Sequence, residues 1–307
     1  MTSENLSRRT ALLLLAALVV GWGFNWIVNK ITLQYVPPIW AVVFRTVPAC
    51  LIYWVACVVT GRLARPVKAD LPVIFSVGWL HMVGFSVLVS IGLQYLPAGR
   101  SIVLAYTTPL WVLPAARFFL NEPFTLRRTA GLIVGMSGLV LILRPGEMDW
   151  TSPDIILGHA LVLLAAFSWA ISIVYGRAHR WVTPLFELLP WQLLLASITQ
   201  TAIAIAIEGT PKVDWSLEVV LCLAYGCLIG TCMAYWVMNT VNRGVPASVT
   251  SMGLLAVPVF GLLCSAIFLG EHIDASLMTA TVLIIAGIVL GTAKISGRRK
   301  FQRNSLR

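Results

Sequence analysis

Residues 97–122 read PAGRSIVLAYTTPLWVLPAARFFLNE, and residues 246–271 read PASVTSMGLLAVPVFGLLCSAIFLGE. Each stretch begins with Pro-Ala, continues as an apolar run long enough for a membrane-spanning helix, and ends at a glutamate. Identical residues recur at one constant offset: Pro97 and Pro246, Pro109 and Pro258, Phe119 and Phe268, Glu122 and Glu271. The chain therefore contains an internal repeat of hydrophobic helices. Extended upstream with one small gap, the same alignment places Trp169 opposite Trp22.

The composition of the chain requires a membrane environment. Hydrophobic residues make up 59% of the 307 residues and charged residues 11%, whereas a soluble domain has roughly 25% charged residues. Apolar blocks between charges and turn residues predict ten spanning helices of about 20 residues each. They lie near residues 11–34, 39–60, 71–95, 98–120, 126–143, 155–178, 185–207, 216–241, 247–270 and 275–295. The first block has no small-residue cleavage site, so we expect a spanning helix there and not a removed signal peptide.

The distribution of basic residues predicts the orientation of these helices. Most of the 22 lysines and arginines fall in the connections on one side of the arrangement, which identifies that side, with both chain termini, as cytoplasmic. Each half then holds five helices, so the second half begins on the opposite face of the membrane. We expect an all-α integral membrane protein of the bacterial inner membrane with two inverted five-helix repeats, residues 1–145 and 146–297, and a basic cytoplasmic tail, residues 298–307. Inverted repeats are typical of secondary transporters, whose substrate sites lie near the bilayer midplane.

One face of the first helix combines aromatic and amide side chains. It carries Trp22, Asn25, Trp26 and Asn29 at helical spacing. The sixth helix repeats this pattern with Trp169 and Ser172. Polar and aromatic groups at midplane depth usually face protein or water, because lipid cannot satisfy them. We therefore predict substrate contacts for Trp22, Asn25, Trp26, Trp169 and Ser172; plain core packing is the alternative for the tryptophans.

Other polar side chains lie inside further helices. His81 is in the third, Tyr106 in the fourth, Tyr235 in the eighth and Ser251 in the ninth helix, and we predict that these also bind substrate. His81 is able to hydrogen-bond a substrate or to carry a proton near neutral pH; a neutral core histidine is the alternative. Proton coupling and facilitated diffusion both stay open, as does the direction of transport.

Two prolines and three charged residues have predicted roles in gating or in structure. Pro109 and Pro258 lie mid-helix, where proline removes an amide donor and kinks the chain, so they are candidates for gating or for a static kink. Arg45 lies inside the second helix, where its guanidinium needs an anionic partner. That partner is a protein group, a substrate carboxylate or chloride. In the alternative, the side chain snorkels, so that its charged end reaches the membrane surface. Glu122 and Glu271 each precede a helix whose N-terminus we expect them to cap.

Pairs of glycines four residues apart occur in the fifth and tenth helices, at Gly131 and Gly135 and at Gly287 and Gly291. Small residues at this spacing allow helix backbones to approach closely. They predict either a seam between the two halves or a contact between two copies of the chain, so a monomer and a homodimer are both compatible with the sequence.

Several function classes are not supported. No P-loop is present, so ATP does not act on this chain directly. No acid lies in the middle of a predicted helix, which disfavours proton-coupled transport of lipophilic cations. No nucleophile–base pair and no metal-ligand spacing stands out, so we predict no enzyme activity, no catalytic residues, no metal and no cofactor. Nucleic-acid motifs are absent as well; the expected partners are a small-molecule substrate and membrane lipid.

The order of these motifs resembles the EamA branch of the drug/metabolite transporter superfamily. The resemblance rests on Trp22-Gly23-Phe24-Asn25, on the two Pro-Ala…Pro helices and on the turns that end in Glu122 and Glu271, and it covers about residues 10–295. It implies ten spans and export of amino acids or other metabolites. Within the branch, the chain most resembles the aromatic amino acid exporter type. The alternatives are efflux of drugs or of another metabolite and, from a different class, a membrane enzyme or scaffold subunit.

Overall fold

A computed structural model describes residues 8–121, 125–143, 151–244, 254 and 256–292. Within these ranges every regular element is helical. The helices are α1 (Arg8–Thr32), α2 (Pro38–Val59), α3 (Lys68–Tyr95), α4 (Ala98–Phe119), α5 (Leu126–Leu143), α6 (Pro153–Ala178), α7 (Leu185–Glu208), α8 (Leu217–Gly244), α9 (Ala256–Leu269) and α10 (Ala275–Thr292).

Three of these helices are not regular α-helices throughout. α3 starts with a 3-10 turn, Lys68–Asp70, and contains a π-helical segment, Ser76–Phe85, while α8 contains a shorter π-helical segment, Leu228–Met233. α4 consists of Ala98–Ala105 and Thr108–Phe119, separated by two residues in a turn. The two π-helical segments lie in corresponding helices of the two halves, so the irregularity is part of the repeat.

Seven described helices, α1 to α4 and α6 to α8, are long and apolar enough to cross a membrane. The predicted fifth, ninth and tenth spans are shorter apolar helices in the described ranges, Thr129–Leu141, Ala256–Leu269 and Ala275–Leu290. The predicted spans 126–143, 247–270 and 275–295 all reach or adjoin residues outside those ranges. The count of ten crossings and the side of the termini stay predictions.

The ends of equivalent helices adopt the same backbone conformation. Gly61 and Gly209 follow α2 and α7 with φ of 64° and 67°, and Asn121 and Gly270 follow α4 and α9 with φ of 50° and 65°. This left-handed conformation ends many helices and is adopted mainly by glycine and, less often, by asparagine. The chain therefore reverses direction in the same way at equivalent places in both halves.

Helix packing follows the same twofold pattern. α2 packs against α7 and α5 against α10, so these pairs join equivalent helices of the two halves. α1 packs against α8 and α9, while α6 packs against α3 and α4. The first helix of each half thus lies within the other half, and the two halves share one apolar core.

Glycines bring α5 and α10 into backbone contact. A Cβ atom added at Gly287 would lie 2.4 Å from the amide nitrogen of Gly135 and 2.6 Å from the carbonyl oxygen of Gly131. One added at Gly138 would lie 2.8 Å from the carbonyl oxygen of Ala280. These contacts form the predicted seam between the halves, while a contact between two copies stays untested.

We expect Gly287→Val to destabilise the protein, because a side chain at this position must push the α5 backbone away. Overpacking of this kind costs about 1–3 kcal/mol. The melting temperature of the purified protein in detergent measures the effect. Ala286→Val is the matched control, since Ala286 is the exposed neighbour in the same helix; an equal effect of both substitutions would contradict the seam.

Candidate functional site

A cavity of about 100 Å³ lies between the two halves. Its walls come from α1, α2, α3 and α4 of the first half and from α6, α7 and α8 of the second. Both repeats therefore contribute to the cavity, and its described lining residues belong to seven different helices.

Most of the predicted substrate-binding residues line this cavity. They are Trp22, Asn25, Trp26, His81, Tyr106, Trp169 and Tyr235. Ser172 is buried in α6 outside the lining, so the structure does not place it with the others. Ser251 and Glu122 lie outside the described residues. That the lining residues bind a substrate stays a prediction.

Other lining residues were not among those predictions. Met82, Phe85 and Ser86 of α3 and Gly230 of α8 line the cavity because they lie in or directly after the π-helical segments. Backbone hydrogen bonds in a π-helical turn join residues five apart, and His81 and Ser86, at this spacing, both line the cavity. The hydrophobic pattern of the sequence does not predict the change from α-helix to π-helix, although both segments contain glycine, such as Gly230.

Side chains from other helices bind the carbonyl groups of the two π-helical segments. In α3, Ser168 donates to the oxygen of Leu80 at 2.7 Å, and Gln200 donates to the oxygen of Met82 at 2.7 Å. Both donors belong to the second half, so these bonds hold the irregular turn of one half with side chains of the other.

The π-helical segment of α8 is held in the equivalent way. Trp22 Nε1 donates to the oxygen of Gly230 at 3.2 Å, and the Tyr53 hydroxyl donates to the oxygen of Cys232 at 2.8 Å. Trp22 and Tyr53 belong to the first half. Trp22 therefore has a structural bond as well as a place in the cavity wall.

Aromatic rings form a continuous wall around Trp169. His81 stacks on Trp169 with ring centroids 5.1 Å apart and planes at 14°. Phe85 lies 5.0 Å from Trp169 at 56°, and Tyr106 meets the same ring edge-on at 6.2 Å. Tyr235 of α8 meets His81 edge-on at 6.2 Å. Offset and edge-on arrangements are the favourable geometries for such rings, so this part of the cavity is a preformed surface for an apolar or aromatic group.

The polar part of the cavity contains Arg45, Asn29 and Asn25. Arg45 Nη1 donates to Asn29 Oδ1 at 3.3 Å. Asn25 Oδ1 is buried and has no hydrogen-bond partner among the described residues. A Cβ atom added at Gly226 would lie 3.6 Å from Arg45 Cδ and 3.9 Å from Asn25 Oδ1, so the two side chains lie near the same point of α8. Arg45, Asn29 and Asn25 therefore give this side of the cavity its polar character.

The two prolines that were predicted to kink their helices differ in position. Pro109 lies in the first turn after the interruption of α4 at Tyr106 and Thr107. Pro258 is buried in the first turn of α9, where the preceding residues are mostly outside the described ranges. Gating by either proline stays a prediction.

Glu271 caps a different helix from the expected one. It accepts hydrogen bonds from the amide nitrogens of Ala98 at 2.6 Å and Gly99 at 2.8 Å, at the start of α4. The helix that follows it, α10, is instead capped by Asp274, which accepts from the Leu277 amide at 2.7 Å. The reason is that α9 packs against the first half, which places Glu271 beside the N-terminus of α4.

The chain matches the model of the EamA-like transporter family twice, over residues 9–144 and 156–292. The two matches correspond to the two halves of the fold. Together they cover most of the chain.

Curated proteins similar to this chain include the uncharacterized transporter YoaV of Bacillus subtilis, which is 26% identical over 91% of this chain and 95% of its own length. A probable amino-acid metabolite efflux pump of Salmonella typhimurium is 25% identical over 95% of this chain and 100% of its own length. A solved crystal structure with 19% identity superposes with a TM-score of 0.65, over 93% of this chain and 97% of the other. That structure supports the fold.

We expect Tyr53→Phe to destabilise the fold, since it removes only the hydroxyl that binds the Cys232 carbonyl. Leaving a buried acceptor without a donor costs about 1–3 kcal/mol. Thermal unfolding in detergent checks this, with Tyr175→Phe as the control because the Tyr175 ring is 39% exposed. If both variants melt like the parent protein, the carbonyl does not depend on Tyr53.

Proposed function

Because the chain belongs to the EamA-like transporter family, we propose that it is a secondary transporter of the bacterial inner membrane that exports amino acids or closely related metabolites. The observation that carries the proposal is the cavity between the halves, lined by the equivalent residues Trp22 and Trp169. Membrane localisation follows from the family and from the seven long apolar helices.

The proposed mechanism is alternating access around this cavity. In an inverted repeat, exchanging the conformations of the two halves converts a cavity open to one face into a cavity open to the other. The reciprocal packing of α1 in the second half and of α6 in the first supports such an exchange. The proposal includes ten crossings, cytoplasmic termini and repeats of residues 1–145 and 146–297, with residues 298–307 as a cytoplasmic tail.

The substrate class is proposed from the cavity lining and from the relatives. The aromatic wall around Trp169 fits an apolar or aromatic side chain, while Arg45, Asn29 and Asn25 fit polar groups. The Salmonella typhimurium relative carries the printed description of an amino-acid metabolite efflux pump, which is in keeping with an amino-acid-sized substrate. Cationic drugs fit less well, since no acidic residue of the described ranges lines the cavity.

We expect Trp169→Ala to lower substrate flux at least tenfold while the protein still folds, because it removes the ring that His81, Phe85 and Tyr106 all contact. Flux is measured in proteoliposomes with a mixture of amino acids and their deaminated derivatives. Phe167→Ala is the control, since Phe167 is 45% exposed on the outer face of α6. No protein-dependent flux of any compound in the mixture would overturn the proposed function, and unchanged flux in Trp169→Ala would overturn the proposed site.

A further inference from the structure

The cavity has a pronounced charge asymmetry. Arg45 is its one permanently charged lining residue in the described ranges, and no aspartate or glutamate of those ranges lines it. The described carboxylates with defined partners lie at helix ends: Asp70, Glu187, Glu208, Glu218, Glu271 and Asp274. A molecule in the cavity therefore meets a guanidinium that no described carboxylate neutralises.

Two of these carboxylates, those of Asp70 and Glu208, already accept several hydrogen bonds from other protein groups. Asp70 accepts from the amide nitrogens of Val182 at 3.2 Å and Thr183 at 2.8 Å and from His179 Nε2 at 2.9 Å. Glu208 accepts from two amide nitrogens at the start of α2, at 2.9 and 3.1 Å. These acids stabilise helix ends, so they do not pair with Arg45.

Arg45 itself has a single protein partner among the described residues. Its Nη1 reaches Asn29 Oδ1 at 3.3 Å, which is a long bond to a neutral group. A guanidinium has five N–H donors and binds a carboxylate through two parallel hydrogen bonds. The other four donors have no acceptor among the residues that the structure describes, and the stem of the arginine lies beside Gly226.

We propose that Arg45 binds the carboxylate of the substrate, and that the preferred substrates are monocarboxylates of net charge −1 with an apolar or aromatic body. This inference rests on the proposed function and narrows its substrate class to amino-acid derivatives without a free ammonium group, such as deaminated amino acids. A bound monoanion balances the positive charge of the Arg45 guanidinium in the cavity.

A zwitterion brings an ammonium group that finds no described carboxylate there. An ion without a partner of opposite charge is costly at this depth. One face of the Trp169 ring is also covered by His81, so that face is closed to an ammonium group. The amide oxygen of Asn25 is buried against Gly230 and carries no charge, so it does not replace a carboxylate for such a group. The zwitterion therefore binds more weakly than the monoanion of the same size.

The charge of the substrate also supplies a driving force. An interior-negative membrane potential drives a monoanion outward by a factor of roughly 50 per 100 mV. Export of such a substrate therefore proceeds against a concentration gradient without proton coupling. A zwitterion of zero net charge gains nothing from the potential.

Three ligands that share a phenyl ring and a short chain test the charge preference: 3-phenylpropionate, phenylalanine and phenethylamine. Isothermal titration of the purified protein should give affinities in that order, with 3-phenylpropionate at least tenfold tighter than phenylalanine. Arg45→Gln should weaken 3-phenylpropionate at least tenfold and remove the difference between the ligands, whereas Arg45→Lys should keep the order. Arg62→Gln is the control, because Arg62 lies outside the cavity and pairs with Glu187 at 3.7 Å.

Tighter binding of phenylalanine than of 3-phenylpropionate, or unchanged binding in Arg45→Gln, would overturn the inference. Chloride is a competing anion, so the titrations are repeated with gluconate in place of chloride. The inference would also be overturned if chloride stabilised the native protein through Arg45 and 3-phenylpropionate did not compete with it.

Measurements of flux from proteoliposomes distinguish a failure of this inference from a failure of the proposed function. An imposed interior-negative potential should accelerate efflux of 3-phenylpropionate and leave that of phenylalanine unchanged. Binding with the expected preference but no flux would contradict transport and leave the role of Arg45 intact.

Discussion

A backbone carbonyl inside a lipid bilayer must accept a hydrogen bond from the protein, because the hydrocarbon offers no donor. The π-helical segments of α3 and α8 carry carbonyl groups that accept hydrogen bonds from side chains of other helices. Ser168 and Gln200 bind those of α3, and Trp22 and Tyr53 bind those of α8. Each half therefore supplies donors that stabilise the irregular turn of the other half.

This dependence ties the fold to the site. The same helices that carry the donors also carry the cavity walls, so α1 and α6 each serve as a structural support and as a lining surface. Trp22 shows both roles in one side chain, since its indole N–H binds Gly230 while its ring faces the cavity. The glycine seam between α5 and α10 lies outside the lining and joins the halves at a separate place. The contact between α5 and α10 is therefore separate from the helices that line the cavity.

Much of this organisation was predictable from the sequence, because it follows from periodicity. The repeated Pro-Ala…Pro helices and the face of Trp22, Asn25 and Trp26 identified the two halves and most of the cavity. Ser172 was predicted from the spacing that also relates Asn25 to Trp22, yet only Asn25 lines the cavity, so the two halves contribute different side chains at equivalent positions. Met82 and Phe85 were missed because the π-helical turn depends on donors from distant helices. The cavity position of Arg45 also depends on packing, because its side chain lies against Gly226 of another helix.

The central claim is that one cavity between the halves is reached alternately from both faces of the membrane. A single cysteine at position 86, introduced as Ser86→Cys in a variant without the six native cysteines, tests it most directly, because Ser86 lines the cavity. The measurement is its labelling by a membrane-impermeant maleimide applied to one face at a time. The account predicts labelling from either face and protection from both by a transported substrate. Labelling from one face alone, or labelling that no transported substrate slows, would contradict it.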